Sequence, residues 1–182
     1  MKYDSNKHNR RSIRLRGYDY RRYGAYFVTI CTAQRACILE DEYVRDAILM
    51  TWRAVGKYAR AATGDEFVVM PNHVHGIVWL RPRGLGPGDH VEPSRFRVSR
   101  EKGHPIVEPG SLGALVRGFK SAAAKRVNSL RETPKTPVWQ RGYHERIIRD
   151  DGELGRIRDY IRNNPLKWAE DRNNPANWPD EM

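Results

Sequence analysis

The pattern of apolar and polar positions predicts four strands along the chain. Ala25 to Thr32 is dense in β-branched and aromatic residues, which is typical of a largely buried strand. Phe67 to Met70 predicts a second strand, and Pro71-Asn72 predicts a turn into a third strand from His73 to Leu80. The stretch from Pro137 to Ile148 predicts a turn followed by a fourth strand.

Three amphipathic helices are predicted between and after these strands. The first spans Asp41 to Arg60, because its apolar residues recur every three or four positions behind acids in the first turn. Ser111 can cap a second helix that runs to about Leu130. Asp150 can cap a third helix, which the Asn164-Pro165 pair stops. The order βαββαβα predicts an α+β protein with a ferredoxin-like antiparallel sheet and its helices on one face.

The length and the distribution of breakers predict one folded domain with flanking segments. A chain of 182 residues is long enough to bury its own core. Residues 81–110 contain five prolines and five glycines, so we predict a flexible loop there. The predicted boundaries are an arm over residues 1–24, a domain over residues 25–168 and a tail over residues 169–182.

Positive charge dominates the composition. The chain holds 33 Lys and Arg against 22 Asp and Glu, a net charge of +11 that is typical of polyanion-binding proteins, although a merely soluble basic protein could share it. The cations concentrate in two places, the N-terminal arm, where tyrosines lie between them, and one side of the second predicted helix. A basic helix side that only faces solvent is the alternative to nucleic-acid contact there. We predict nucleic-acid contacts from Arg11, Arg14, Arg16, Arg21 and Arg22 and from Arg117, Lys120, Lys125 and Arg126.

Cysteine usage and hydropathy predict a cytoplasmic protein. Cys31 and Cys37 are the only cysteines, and we expect them to be reduced thiols. The N-terminus does not resemble a signal sequence, and no apolar run approaches the length of a membrane span.

Two pairs of residues indicate where chemistry could occur. His73 and His75 flank Val74 on a predicted strand, so both imidazoles lie on one face of it. This arrangement occurs in metal sites, but it also occurs by chance on solvent-exposed strand faces. Tyr160 and Asn164 are four residues apart on the last predicted helix, so both side chains lie on the same helix face. Taken alone, this tyrosine is typical of a packing residue and this asparagine of a helix stop.

Four motifs in order change that interpretation. They are Gly24 to Thr29, Met70 to His75, Val138 to Gln140, and Asp159 to Trp168. With these motifs the chain resembles the REP-associated tyrosine transposases, which belong to the single-tyrosine HUH transposase superfamily. The resemblance covers roughly residues 11–168.

The resemblance implies a site and a reaction. Tyr160 matches the nucleophile, and His73, His75 and Asn164 match the ligands of a magnesium or manganese ion. The implied activity is cleavage and rejoining of single-stranded, hairpin-bearing DNA through a covalent 5′-phosphotyrosine, without a nucleotide cofactor. It also implies a bacterial, cytoplasmic, nucleoid-associated protein with DNA as its partner, no membrane association, and a monomeric or homodimeric state.

Three alternatives stay open at this point. Tyr143, followed by His144 and Glu145, is a competing nucleophile without a ligand one helical turn away. A domesticated relative would bind DNA hairpins without cutting them. A zinc hydrolase using His73 and His75 would hold zinc tightly and form no DNA adduct.

Overall fold

The computed structural model describes residues 20, 22–55, 62–81 and 110–178. Arg11, Arg14, Arg16 and Arg21 of the predicted arm, and nearly all of the predicted loop over residues 81–110, lie outside the described residues. The strands and helices are β1 (Gly24–Cys31), α1 (Glu42–Arg53), β2 (Ala62–Met70), β3 (His73–Leu80), α2 (Leu112–Leu130), β4 (His144–Ile147) and α3 (Asp151–Asn163). Short 3-10 turns cover Ala33–Arg35, Pro165–Glu170 and Pro175–Asn177.

The predicted fold class is confirmed. The four strands form one sheet in the order β2-β3-β1-β4, and every neighbouring pair is antiparallel. This strand order and the element order βαββαβα match the ferredoxin-like prediction. Ser111 and Asp150 cap their helices as predicted, because their side chains accept hydrogen bonds from the backbone N–H groups of Ala114 and Glu153.

The prediction that all helices lie on one face is wrong. Helices α1 and α2 pack on one face through a large core that includes Trp52 and Phe119, whereas α3 packs on the other face through Leu154 and Ile161. Strand β3 explains the difference, since nearly all of its residues are buried and a strand buried on both sides needs a cover on both.

Strand β2 begins earlier than the sequence indicates. It starts at Ala62 rather than Phe67, and its pairing with β3 is irregular between Gly64 and Phe67. The polar pair Asp65-Glu66 in this irregular stretch hides the strand pattern in the sequence.

A close ring contact under β3 depends on glycine. The Trp52 ring stacks on Phe67 with centroids 4.2 Å apart. A Cβ atom on Gly76 would lie 2.7 Å from Trp52 and 2.8 Å from Phe67, so this position has no room for a side chain. Core packing thus requires glycine at position 76.

None of the helices in the described ranges is long and apolar enough to cross a membrane.

Candidate functional site

The two histidines lie side by side at the start of β3. Their side chains point to the sheet face that α3 covers, and the residues are 0% and 3% exposed for His73 and His75. The two Nε2 atoms are 3.0 Å apart. Both imidazoles therefore lie on one face of the sheet and in contact, as the strand periodicity predicts.

Asn72 sets the tautomer of His73. Its side-chain Nδ2 donates hydrogen bonds to the carbonyl oxygens of Arg35, at 3.1 Å, and Asn173, at 2.6 Å, so its Oδ1 must face the other way. That oxygen lies 2.8 Å from Nδ1 of His73, and an amide oxygen only accepts. Nδ1 of His73 therefore carries the proton, and Nε2 of the neutral ring presents a lone pair.

His75 is fixed by two residues of β1. Its Nδ1 lies 2.8 Å from the hydroxyl of Thr29, which can donate or accept. The Phe27 ring stacks on the imidazole with centroids 5.3 Å apart. His75 has two possible neutral tautomers. If its Nδ1 carries the proton and donates to Thr29, the Nε2 atoms of both histidines present lone pairs to each other at 3.0 Å, and a cation between them would be needed. If its Nε2 carries the proton, that atom donates to Nε2 of His73.

Helix α3 brings Tyr160 to the histidines. The phenolic oxygen lies 3.3 Å from Nε2 of His75, and the Tyr160 ring meets Phe27 edge-on. The Tyr160 residue is nevertheless 47% exposed, so solvent reaches part of this side chain.

Asn164 completes this arrangement one helical turn after Tyr160. It is 4% exposed, and its Oδ1 has no hydrogen-bond partner among the described residues. A buried amide oxygen without a partner is costly, which indicates that this oxygen binds a group that the described residues do not supply. Tyr160 thus contacts His75, and Asn164 is linked to the site through its hydrogen bonding to Tyr160.

A carboxylate that the sequence analysis did not single out lies at the same site. Oδ2 of Asp171 is 3.9 Å from Nε2 of His73, and its side chain is 10% exposed. The backbone N–H of Asn173 donates to Oδ1 of Asp171 at 2.7 Å, which holds the other oxygen towards the histidine. Asp171 follows the last helix by eight residues, and no periodicity connects it to the site.

The pKa values favour neutral imidazoles. Burial lowers the pKa of His73 to about 4, with Asp171 opposing this shift and Arg35 adding to it. Burial, together with His73 and Arg172, lowers the pKa of His75 to about 3. Burial raises the pKa of Tyr160, and hydrogen bonding by Asn164 opposes the rise. At neutral pH the site therefore holds two neutral imidazoles, the form in which histidine binds metals, and a protonated phenol.

These donors fit a single divalent ion. Metal–nitrogen distances of about 2.1 Å place neighbouring ligand atoms about 3 Å apart, which is the separation of the two Nε2 atoms. The unpartnered Oδ1 of Asn164 is the oxygen that would complete such a ligand set. Within residues 22–55, 62–81 and 110–178, no three His, Cys, Asp or Glu side chains form a group that could hold a metal.

The competing nucleophile lies elsewhere. Tyr143 is partly buried against the core on the α1 and α2 side of the sheet, away from the histidines. His144 pairs in register with Thr29, which places it on the histidine face at the exposed edge strand. The structure therefore joins Tyr160, and not Tyr143, to the histidine pair.

The predicted nucleic-acid contacts on α2 fall into two groups. Arg117, Lys125 and Arg126 are exposed, and the first two have no side-chain hydrogen bond or ion pair among the described residues, whereas Lys120 is partly buried. Lys120 donates to the carbonyl oxygens of Gln140, Arg141 and Gly142, and Arg126 donates to the hydroxyl of Thr51 at 2.9 Å. Within the arm, Arg22 is described, and its carbonyl oxygen accepts from the Tyr26 hydroxyl.

Fold and site together define an α+β protein of ferredoxin-like topology in which a buried His-x-His pair faces a helical tyrosine. The chain belongs to the same family as an uncharacterized protein of Haemophilus influenzae, to which it is 33% identical over 179 residues, covering 94% of this chain and 96% of the relative. No protein-family model matches the chain.

Solved structures give weaker similarities. A REP-associated tyrosine transposase bound to a REP hairpin aligns with a TM-score of 0.48 and 22% identity, over 82% of this chain and 73% of the other. A crystal structure from Deinococcus radiodurans, provisionally named a transposase, aligns with a TM-score of 0.49 and 22% identity, over 84% of this chain and 97% of the other. At this similarity, function has to be inferred from the residues of the site.

Proposed function

We propose that the protein is a metal-dependent tyrosine nuclease and strand transferase of the REP-associated transposase type. Its proposed substrate is single-stranded DNA that carries a hairpin. The observation that supports this most strongly is the position of the Tyr160 hydroxyl, 3.3 Å from Nε2 of His75, which in turn lies 3.0 Å from Nε2 of His73. The order of the four sequence motifs supports the same assignment.

His73, His75 and Asn164 are the residues that would hold the ion, magnesium or manganese. When bound, such an ion acts as a Lewis acid that offsets negative charge on a phosphate oxygen. The chain prepares this site by fixing the ring of His73 through Asn72 and the ring of His75 through Thr29. An amide in place of a carboxylate makes the proposed site a weak, exchangeable one.

Tyr160 supplies the nucleophile. Its phenolic oxygen forms a bond to phosphorus, and the bond from phosphorus to the 3′-oxygen of the DNA breaks. The phenol loses its proton, and the departing 3′-oxygen gains one, so that a 5′-phosphotyrosine and a free 3′-hydroxyl result. Attack by another 3′-hydroxyl on the phosphotyrosine reverses these changes and rejoins a strand without a nucleotide cofactor.

The surroundings of Tyr160 suit this role. Burial raises the pKa of the phenol and keeps it protonated at neutral pH, while hydrogen bonding by Asn164 favours the phenolate. The tyrosine is 47% exposed and the histidines are buried, so the DNA strand would approach from the side of Tyr160. The basic composition supports affinity for the phosphate backbone.

A covalent-adduct assay tests the proposal. The protein is incubated with a labelled hairpin oligonucleotide with a single-stranded flank, with and without manganese. We expect a denaturant-resistant protein–DNA adduct that Tyr160→Phe abolishes and the matched Tyr143→Phe preserves. Hairpin binding without any adduct would contradict the proposal and support a non-cleaving hairpin-binding protein.

A further inference from the structure

We infer that Asp65 and Glu66 of β2 are positioning residues that hold α3 in the rotation at which Tyr160 meets the histidines of its own chain. The inference rests on the proposed function, because it concerns how the nucleophile is placed. It names two carboxylates, far from Tyr160 in the sequence, as determinants of the reaction rate.

The first attachment joins Asp65 to Arg158. Nη2 of Arg158 lies 2.6 Å from Oδ2 of Asp65, and Nε lies 3.1 Å from Oδ1, a two-pronged arrangement that fixes direction as well as distance. Nε1 of Trp79 also donates to Oδ2 at 2.8 Å. The Asp65 side chain is 15% exposed, so water screens this pair only partly.

The second attachment joins Glu66 to Arg162. Nε of Arg162 lies 2.9 Å from Oε1 of Glu66, and Nη2 of the same guanidinium also donates to that oxygen. Adjacent side chains of a regular strand point to opposite faces. The register irregularity between Gly64 and Phe67 allows both carboxylates to reach the same helix.

The two arginines and Tyr160 lie on opposite edges of α3. Arg158 and Arg162 are one turn apart, and Tyr160 lies about 160° around the helix from each, at about 100° per residue. Between these edges, Leu154 and Ile161 pack on the sheet. One edge is therefore tied to β2, and the other carries the phenol over Phe27 and His75.

Apolar packing of α3 is not directional. The buried residues of this cluster are Ala25, Ile77, Leu154 and Ile161, and Phe27, Val68, Trp79, Ile148 and Ile157 are partly buried against them. Such contacts hold the helix on the sheet but fix its rotation less strictly than hydrogen-bonded ion pairs do. The directional arginine–carboxylate pairs then set where the Tyr160 hydroxyl lies.

Four variants test the inference with manganese and a hairpin oligonucleotide. For Asp65→Asn/Glu66→Gln we expect adduct formation under single-turnover conditions to slow about tenfold or more, with unchanged DNA affinity. The matched control Asp159→Asn removes a contact to Arg162 within the helix, and should keep the wild-type rate. Glu66→Arg should slow the reaction, and adding Arg162→Glu should restore it.

The outcomes separate the inference from the proposed function. A wild-type rate in Asp65→Asn/Glu66→Gln, equal losses of rate and DNA affinity, or failure of the charge swap to rescue would overturn the inference. If the wild-type protein forms no adduct, the proposed function fails, and amide hydrogen exchange decides the inference alone. Faster exchange over residues 151–163 in the double variant, and not in Asp159→Asn, supports it, and equal exchange overturns it.

Discussion

The side-chain oxygen of Asn72 lies 2.8 Å from Nδ1 of His73 and accepts a hydrogen bond from it. Nε2 of the same neutral imidazole is therefore unprotonated, and its lone pair faces His75. Asn72 is fully buried and has both amide hydrogens committed to backbone carbonyls. Its orientation is therefore determined by the chain and does not depend on an ion. The ring of His73 is thus held in the orientation that the proposed metal site requires.

Replacing Asn72 should weaken metal binding in a graded way. Asn72→Ala removes the acceptor for His73, and we expect manganese affinity to fall about 10- to 100-fold in calorimetric titration. Asn72→Asp keeps an acceptor for Nδ1 of His73 and loses only the donors to Arg35 and Asn173, so it should retain more affinity than the alanine variant. Equal affinity in the wild type and Asn72→Ala would contradict this role.

Gly76 should be intolerant of any side chain. A Cβ atom there would come within 2.7 Å of Trp52, so we expect Gly76→Ala to lower the free energy of unfolding by about 1–3 kcal/mol in urea titrations. Gly118→Ala is the matched control, because nothing lies within 4 Å of its added Cβ on helix α2. The control should be neutral or stabilising by up to about 1 kcal/mol. A Gly76→Ala protein as stable as the wild type would show that Trp52 can move aside.

The Asp65–Arg158 pair should make stability depend on pH. Burial raises the pKa of Asp65, but hydrogen bonds from Arg158 and Trp79 outweigh it and leave the pKa below the ordinary 3.8. A lowered pKa means that the contribution is complete above the ordinary value and disappears as the pH falls through the folded-state value. We expect Asp65→Asn to cost about 1 kcal/mol at pH 7. The difference from the wild type should shrink below pH 3.8, so a constant difference in urea unfolding from pH 7 to pH 3 would rule this out.

The cations of α2 should separate into binding and structural residues. Arg117 is exposed, so Arg117→Gln should weaken hairpin binding and reduce the salt dependence of affinity by about one unit of slope. Lys120 is partly buried against three carbonyl oxygens, so Lys120→Gln should lower thermal stability more than Arg117→Gln does. Salt titrations of DNA affinity and thermal unfolding of both variants check this division. Equal stability losses would contradict it.

Local periodicity accounts for what the sequence predicts well. Strand periodicity places His73 and His75 on one face of β3, and helix periodicity places Tyr160 and Asn164 on one face of α3. Each pair could therefore be identified within its own element. That Thr29 faces His75 follows only once the antiparallel register of β1 and β3 is known. The sheet order also depends on pairings that no local pattern encodes.

Long-range features account for what the sequence did not predict. Apart from its two histidines, the run from His73 to Leu80 is apolar, and a strand of this kind indicates a sheet that is covered on both faces. Which helix covers the second face depends on long-range packing. Asp65 and Glu66 interrupt the apolar pattern of β2, and only the irregular register shows that both point to α3. Asp171 reaches His73 after the last helix has ended, through turns whose path the sequence does not reveal.

Peptide mapping of the protein–DNA adduct tests the central claim most directly. After reaction with the hairpin oligonucleotide and manganese, nuclease trimming and proteolysis leave a nucleotide on the residue that attacked phosphorus, and mass spectrometry locates it. The account predicts a nucleotide-linked peptide that contains Tyr160, with the link on its phenolic oxygen. A link on Tyr143 or on any other side chain would contradict it.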